Sequence, residues 1–166
     1  APVIELDVTN QADLDSLETR IREHVPHLDG VVHSIGFAPE AALGGNFLNT
    51  SWDDVATAMH VSAYSLIRLA QYLFNYNILQ PGSSICSISY IAAAKVTFHP
   101  YRNMSIAKAA LERITIELAD ELGRMNGTRA NVVRFSTYMG SKAGNATLNT
   151  SDVETANKIL FPEIWN

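Results

Sequence analysis

The chain has 166 residues, of which 47% are hydrophobic and 17% charged, so it is not expected to be disordered, collagenous or of low complexity. Its length suits one domain with its own core. The formal net charge is -5, with no block of like charges, so neither a nucleic-acid surface nor a membrane anchor is expected. The one cysteine, Cys86, excludes a disulfide framework and a cysteine-based zinc site. Without a signal-like start or a long apolar run, we expect a cytoplasmic protein.

The first part of the chain predicts a strand, a helix and a second strand. Residues 2–8 alternate apolar and polar side chains, which is typical of a strand. Asn10 suits the cap of a helix whose apolar positions recur up to Val25. A turn follows, and residues 31–35 are apolar enough for a buried strand.

The same alternation continues after a loop over residues 36–50. Ser51, with Asp54 three residues later, predicts the start of a long helix over residues 51–79, which Pro81-Gly82 should end. Residues 84–91 are predicted to form a third strand, in which Cys86 belongs to the core.

A third helix is predicted to begin at Pro100 and to end near Gly127, because proline suits the first turn and glycine the C-terminal cap. Residues 129–135 predict a fourth strand, and Ser151 caps a short terminal helix. Alternating strands and helices indicate the α/β class. We expect a single domain over residues 1–166: a three-layer, Rossmann-like parallel sheet with helices on both faces.

In such a sheet a ligand binds beyond the carboxyl ends of the strands. Tyr101 and Lys108 are seven residues apart, two helical turns, so both should lie on the same face of the third helix. An ammonium there lowers the pKa of the phenol and can hold a sugar hydroxyl, while the phenol donates to a developing oxyanion. A solvated helix face explains the same spacing, and the pair alone does not decide between the two.

Two other patterns offer competing sites. Tyr138 and Lys142 have a Tyr-x3-Lys spacing, but the neighbouring glycines favour a loop. The five histidines are scattered, so no metal site is expected.

Three stretches together carry a more specific signal: residues 28–39 (LDGVVHSIGFAP), 60–65 (HVSAYS) and 101–112 (YRNMSIAKAALE). In this order and spacing they resemble the NADH-dependent enoyl-acyl carrier protein reductases, a divergent branch of the short-chain dehydrogenases/reductases. The resemblance covers residues 3–133. It implies hydride transfer from NADH to the 2,3 double bond of an acyl thioester on acyl carrier protein, in fatty acid biosynthesis.

The resemblance also implies roles for particular residues. Tyr101 matches the tyrosine that bonds the thioester carbonyl and stabilises the enolate. Lys108 matches the lysine that holds the nicotinamide ribose, and Tyr90 matches an aromatic position beside nicotinamide and substrate. The remaining cofactor-binding matches are Asp7, Val8, Ser34, Ile35 and Gly36. A carboxylate such as Asp7 also caps a following helix, and the residues alone favour that alternative.

The resemblance begins at the family's third strand, and no Gly-rich turn at a helix N-terminus precedes it. We therefore expect the 166 residues to be a fragment that does not bind NADH tightly alone. The alternatives are a catalytically silent relative that binds a partner or acyl chain, and a ketone-reducing dehydrogenase. The resemblance further implies a homo-oligomer formed through helices 51–79 and 100–126.

Overall fold

The computed structural model describes residues 1–43, 46–97 and 101–135. Their regular elements are the helices α1 (Gln11–Arg22), α2 (Trp52–Met59), α3 (Ser65–Asn75) and α4 (Arg102–Asn126), and the strands β1 (Leu28–His33), β2 (Leu79–Tyr90) and β3 (Arg129–Phe135). The expected helix start at Pro100, the loop at Tyr138–Lys142 and the helix capped by Ser151 lie outside the described residues.

The three strands form a parallel sheet in the order β1-β2-β3, which confirms the α/β class. Val31 pairs with Ile85, which pairs in turn with Ala130. All three strands therefore end at the same edge of the sheet, where a ligand site is expected.

Local capping confirms the predicted start of the first helix. The side chain of Asn10 accepts a hydrogen bond from the Ala12 amide, and the buried residues of α1 recur at helical spacing. They are Leu14, Leu17 and Ile21, which belong to the main core cluster.

The long second helix starts where predicted but is interrupted. Ser51 caps α2 by accepting from the Asp54 amide, and a π-helical turn over His60–Tyr64 joins α2 to α3. The predicted end at residue 79 is wrong, because Asn77 adopts a left-handed φ of 54° and the helix stops at Asn75.

Pro81-Gly82 was predicted to end the second helix, but that helix already ends at Asn75. Both residues lie inside β2, where the register against β1 shifts between Leu79 and Ser84. Gly82 has a φ of 76°, so the expected turn residues produce an irregularity within the strand. The third helix ends as predicted, because Gly127 takes a φ of 77° directly after α4.

The strand predicted over residues 2–8 is wrong, since this segment joins no ladder of the described sheet. Its alternation has another cause: Val8 is buried, and Ile4 and Leu6 pack against the main core. Alternating burial reports which side chains face a core, but a strand also needs a neighbouring backbone to bond. It pairs with none of the described strands.

The two faces of the sheet differ. The face that α3 and α4 cover, hereafter the covered face, presents His33, Ile85, Ser87 and Ser89. The opposite face, hereafter the open face, presents Val32, Cys86, Ile88, Val133 and Phe135. Val32 is 67% exposed, and Cys86, expected in the core, is partly exposed. Within the described residues, the second helix layer is not seen.

No helix of the described chain is both long and apolar enough to cross a membrane.

Candidate active site

Lys108 joins the carboxyl ends of two strands. Its Nζ donates to the carbonyl oxygen of Ile88 in β2 at 2.9 Å, and to that of Ile35, just past β1, at 3.3 Å. An ammonium has three donors, so one N–H is left for a further acceptor. Burial lowers the pKa of Lys108. The side chain is therefore a fixed cation beside the loop after β1.

Tyr101 and Tyr90 lie together at the same edge. Tyr101 is the residue that immediately precedes α4, so Lys108 follows it by two turns of the chain. The two tyrosine rings are tilted by 46° with their centroids 5.2 Å apart. This geometry is a favourable aromatic contact, and it places the last residue of β2 against the start of α4.

A groove of about 330 Å³ opens beside Tyr101. Most of its lining is apolar, with two cations: Phe47, Ala92, Ala93, Lys95, Val96, Thr97, Tyr101, Arg102, Ser105, Ile106 and Ala109. Lys108 is not among these residues, so Tyr101 borders the groove while Lys108 lies toward the ends of β1 and β2. The site thus has a charged part at Lys108 and a mostly apolar groove that Tyr101 borders.

The loop after β1 approaches Lys108 closely. A Cβ at Gly36 would lie 3.5 Å from Lys108 Nζ and 3.9 Å from Ser62 Oγ. Ser62 accepts from the Phe37 amide at 3.0 Å and donates to the Phe37 carbonyl at 2.9 Å, so it holds this loop at both backbone groups. Ser34 is exposed beside these groups.

The π-helical turn explains how Ser62 reaches the loop. One extra residue per turn changes which side chains face β1. Ser62 then meets Phe37, while Ser65 meets the buried His33 with its Oγ 2.8 Å from Nε2. Because Ser65 donates to the Val61 carbonyl, it accepts from His33, and Nε2 carries the proton.

His33 Nδ1 is then a buried acceptor with no partner among the described residues. Burial, and next the charge of Lys108, lower the pKa of His33 to about 4. This histidine is neutral at neutral pH, and its ring lies within the electrostatic reach of Lys108.

Asp7 and Val8 make contacts of their own near the start of the chain. The Asp7 carboxylate accepts from both the amide and the hydroxyl of Thr9, which lowers its pKa, and the side chain is exposed. Val8 is 6% exposed and belongs to the main core. These contacts form a turn before the helix, and the cap of α1 is Asn10, so Asp7 does not cap the helix as the residues alone favoured. They do not test a contact with adenine.

Sequence reasoning missed several residues that organise the site. They are Ser62, His33, the ion pair of Glu112 with Arg134, and the buried Asn103, whose amide donates to Thr50 Oγ1 at 3.1 Å. Their partners are 22 or more residues away in the chain, so no local pattern reveals them. Glu112 follows Lys108 by four residues, and this spacing was the one available signal. The described residues contain no cluster of side chains able to hold a metal ion.

A parallel sheet whose strand ends are joined by a lysine, beside a tyrosine and an apolar groove, is consistent with a Rossmann-like α/β fold, in which ligands bind outside the carboxyl ends of the strands. The family model described as Enoyl-(Acyl carrier protein) reductase matches residues 1–159. The chain belongs to the enoyl-(acyl carrier protein) reductase family.

Individual relatives agree with this assignment. The chain is 37% identical over 137 residues to the enoyl-[acyl-carrier-protein] reductase [NADH] of Mycolicibacterium smegmatis, covering 80% of this chain and 49% of that protein. It is 31% identical over 170 residues to the enoyl-[acyl-carrier-protein] reductase [NADH] FabI of Enterococcus faecalis, which covers 99% of this chain and 67% of that protein. The FabI of Rickettsia prowazekii is 32% identical over 179 residues, covering 98% and 67%. The matches therefore span between half and two thirds of these relatives.

Proposed function

We propose that the protein carrying this chain reduces the 2,3 double bond of an enoyl thioester on acyl carrier protein, with NADH as cofactor. The observation that carries the proposal is Lys108, which bonds the backbone at the ends of β1 and β2 on the charged side of Tyr101. The family supports it, since the matched relatives are named NADH enoyl-[acyl-carrier-protein] reductases.

The charged part of the site suits the nicotinamide half of the cofactor. The third N–H of Lys108 is available to a ribose hydroxyl, and the absence of a side chain at Gly36 lets the Lys108 ammonium lie close to this loop. Ser34 and Ile35 complete this loop. Asp7 and Val8 are assigned to the adenine end by the same proposal. When bound, NADH supplies the hydride to the β carbon of the substrate.

Tyr101 supplies the stabilisation of charge. In the proposal its hydroxyl donates to the thioester carbonyl oxygen, which becomes negative when the β carbon accepts the hydride. The resulting enolate then takes a proton from water at the α carbon, which completes the reduction. The nearby Lys108 ammonium favours this charge further. Tyr90, whose ring contacts that of Tyr101 at a tilt of 46°, holds the phenol in place and forms one wall beside the nicotinamide.

The apolar groove suits the acyl part of the substrate. Its alanine, valine, isoleucine and phenylalanine side chains offer no hydrogen bonds, and it reaches Tyr101. An acyl chain lying there brings its thioester carbonyl to the phenol, while the charged part of the site stays on the other side.

Assembly and location belong to the same proposal. Exposed apolar side chains lie along the two helical segments expected to form an oligomer: Trp52, Tyr64, Ile106, Ile116 and Met125. Such side chains favour a homo-oligomer contact. A cytoplasmic location is consistent with a chain whose one cysteine, Cys86, has no partner for an internal disulfide.

The test compares the two Tyr–Lys pairs of the sequence in the natural full-length protein. Tyr101→Phe should lower kcat for an enoyl thioester by about 10²- to 10³-fold, the effect of removing one oxyanion donor, with NADH affinity unchanged. Lys108→Met should weaken NADH binding about tenfold or more, since it removes a charged donor. Calorimetry and NADH oxidation measure the two quantities.

Tyr138→Phe and Lys142→Met are the matched controls, and both should leave activity unchanged. If these controls abolish activity while Tyr101→Phe does not, the Tyr-x3-Lys pair is catalytic and the ketone-reducing alternative holds. A wild-type protein that binds NADH but reduces no enoyl thioester contradicts the proposed reaction. Equal NADH affinity in wild type and Lys108→Met contradicts the role of the lysine.

A further inference from the structure

Glu112 is a buried carboxylate that connects three elements. It lies on α4, one turn after Lys108, and is 8% exposed. Its Oε1 accepts from Ser89 Oγ of β2 at 2.6 Å and from Arg134 Nε of β3 at 2.8 Å, and its Oε2 accepts from the second guanidinium nitrogen of Arg134 at 2.5 Å. Both oxygens are therefore bound, and the arginine contact is bidentate.

This pair differs from the other ion pairs of the described chain. Those pairs join residues four apart on one helix, and most of their side chains are well exposed. Exposed ion pairs of that kind add little to the free energy of unfolding. Arg134 instead reaches a carboxylate on another element, and the resulting hydrogen bond holds the pKa of Glu112 below its usual range. Glu112 therefore stays ionised at neutral pH.

The pair lies at the level of the candidate site. Ser89 is paired in register with Arg134, and the next residue of β2 is Tyr90. The residue before Ser89 is Ile88, whose carbonyl accepts from Lys108 Nζ. Successive turns of α4 thus hold successive residues of β2: Lys108 holds Ile88, and Glu112 holds Ser89. The same carboxylate fixes β3 through Arg134.

We propose that Glu112 and Arg134 act as a strand-end clamp, positioning Lys108 and Tyr90 for the reduction. The inference rests on the proposed function. The clamp touches neither the substrate nor the cofactor, and acts by fixing the end of β2 relative to α4. If the end of β2 moves, the Ile88 carbonyl leaves Lys108 and the Tyr90 ring leaves Tyr101, so two groups at the site are misplaced together.

The bidentate geometry makes the inference testable. A lysine at position 134 keeps a positive charge but cannot form two parallel hydrogen bonds, whereas methionine removes both the charge and the bonds. If the pair only balances charge, Arg134→Lys should retain the wild-type kcat. If the pair positions the site residues, Arg134→Lys should retain only part of the wild-type kcat, because the direction of the hydrogen bonds is lost.

The experiment uses the natural full-length protein with Arg134→Lys, Arg134→Met and Glu112→Gln, and with Arg124→Met as matched control. The control removes the exposed pair of Arg124 with Asp120 on the same helix. We expect Arg134→Met and Glu112→Gln to lower kcat by about tenfold to a hundredfold, as small misplacements of reacting groups do. KM for the thioester should change less than about twofold, because neither clamp residue lines the apolar groove assigned to the acyl chain. The kcat of Arg134→Lys should lie between those of Arg134→Met and wild type, and the kcat of Arg124→Met should equal that of wild type.

Thermal melts give the folded fraction of each variant. Should Arg134→Met not fold, Ser89→Ala replaces it, since it removes one hydroxyl and keeps the ion pair; it should lower kcat less than Glu112→Gln. Variants with lowered melting temperature but unchanged kcat per folded molecule overturn the clamp as a positioning device. Full restoration by Arg134→Lys also overturns it. A wild type without enoyl thioester reduction overturns the proposed function and the inference together, so the two failures are distinguishable.

Discussion

The covered face of the sheet buries several polar side chains beside apolar ones such as Ile85, whereas the open face exposes apolar side chains such as Val32. His33, Ser87 and Ser89 lie under α3 and α4 and are 3% exposed or less, while Val32 on the other face is 67% exposed. Each buried polar side chain has a partner on a helix: Ser65, Thr115 and Glu112, respectively. Hydropathy alone would therefore place these three polar side chains on the wrong face.

The comparison shows what holds the helices on the sheet near the site. Apolar contacts form the rest of the core, but toward the carboxyl ends of the strands the contact is made by side-chain hydrogen bonds, which are directional. Directional contacts fix the relative positions of β2 and α4 more closely than apolar packing does. That is the property a site needs when its tyrosine and lysine are on α4 and their neighbours are on strands.

The largest expected loss of stability follows from truncating an apolar residue on the covered face. Ile85 is on the covered face and 1% exposed. Ile85→Ala should lower the free energy of unfolding by about 2 to 5 kcal/mol, because it removes buried methyl groups and leaves a cavity. Urea denaturation followed by circular dichroism measures this loss. A loss under about 1 kcal/mol would mean that the covered face is loosely packed.

The next effect concerns the buried histidine of the covered face. Burial, and then the charge of Lys108, lower the pKa of His33 from 6.5 to about 4. The unfolded chain thus binds more protons between these values, so stability is complete above pH 6.5 and falls as the pH drops toward 4. Between pH 6.5 and 4, protonation of His33 should lower the free energy of unfolding by about 3 kcal/mol, because the pKa falls from 6.5 to about 4 and each pKa unit is worth about 1.36 kcal/mol.

Melts between pH 4 and 7 check this sign and size. His33→Gln should remove most of that slope, while the same change at the exposed His24 should leave it intact. Acidic groups with lowered pKa, such as Glu112, destabilise the chain in the same direction at low pH, so the comparison between variants decides. An unchanged slope in His33→Gln would show that His33 is not buried in solution.

The helix ends at Asn10, Ser51 and Gly127 and the strand β3 were predicted from sequence, while the contacts of the covered face were not. The reason is the distance along the chain. Asn10, Ser51 and Gly127 act on backbone groups within four residues, so their patterns are complete in a short window. Ser89 and Glu112 are 23 residues apart, and Ser62 and Phe37 are 25 apart. Such pairs exist only after the chain has folded.

Tyr101 and Lys108 were selected from their spacing and family resemblance, and the structure adds what the spacing lacked: the acceptors of Lys108 and the partner of the Tyr101 ring. The strand over residues 2–8 failed for the opposite reason. Its alternation was real, but it reported packing of Ile4 and Leu6 on the core, not pairing with another strand.

A smaller effect is expected from one buried hydroxyl pair of the covered face. Ser87 Oγ and Thr115 Oγ1 are 2.7 Å apart, and Thr115 also donates to the Leu111 carbonyl. Ser87→Ala should therefore cost only about 0.5 to 1.5 kcal/mol, because Thr115 keeps one partner. The double variant with Thr115→Val should cost less than the sum of the two single changes, measured by urea denaturation. Additive losses would show that the two hydroxyls do not interact.

The smallest effect belongs to the open face and completes the comparison. Val32 pairs with Cys86 in the sheet, and its side chain meets solvent across most of its surface. Val32→Thr keeps the branched shape that strands favour and exchanges one methyl for a hydroxyl, so the free energy of unfolding of residues 1–166 should change by less than about 0.5 kcal/mol. The measurement is a urea titration beside Ile85→Ala. A loss above about 1 kcal/mol would show that another part of the molecule, or a second copy, covers the open face in solution, because a hydroxyl is costly only where water is excluded.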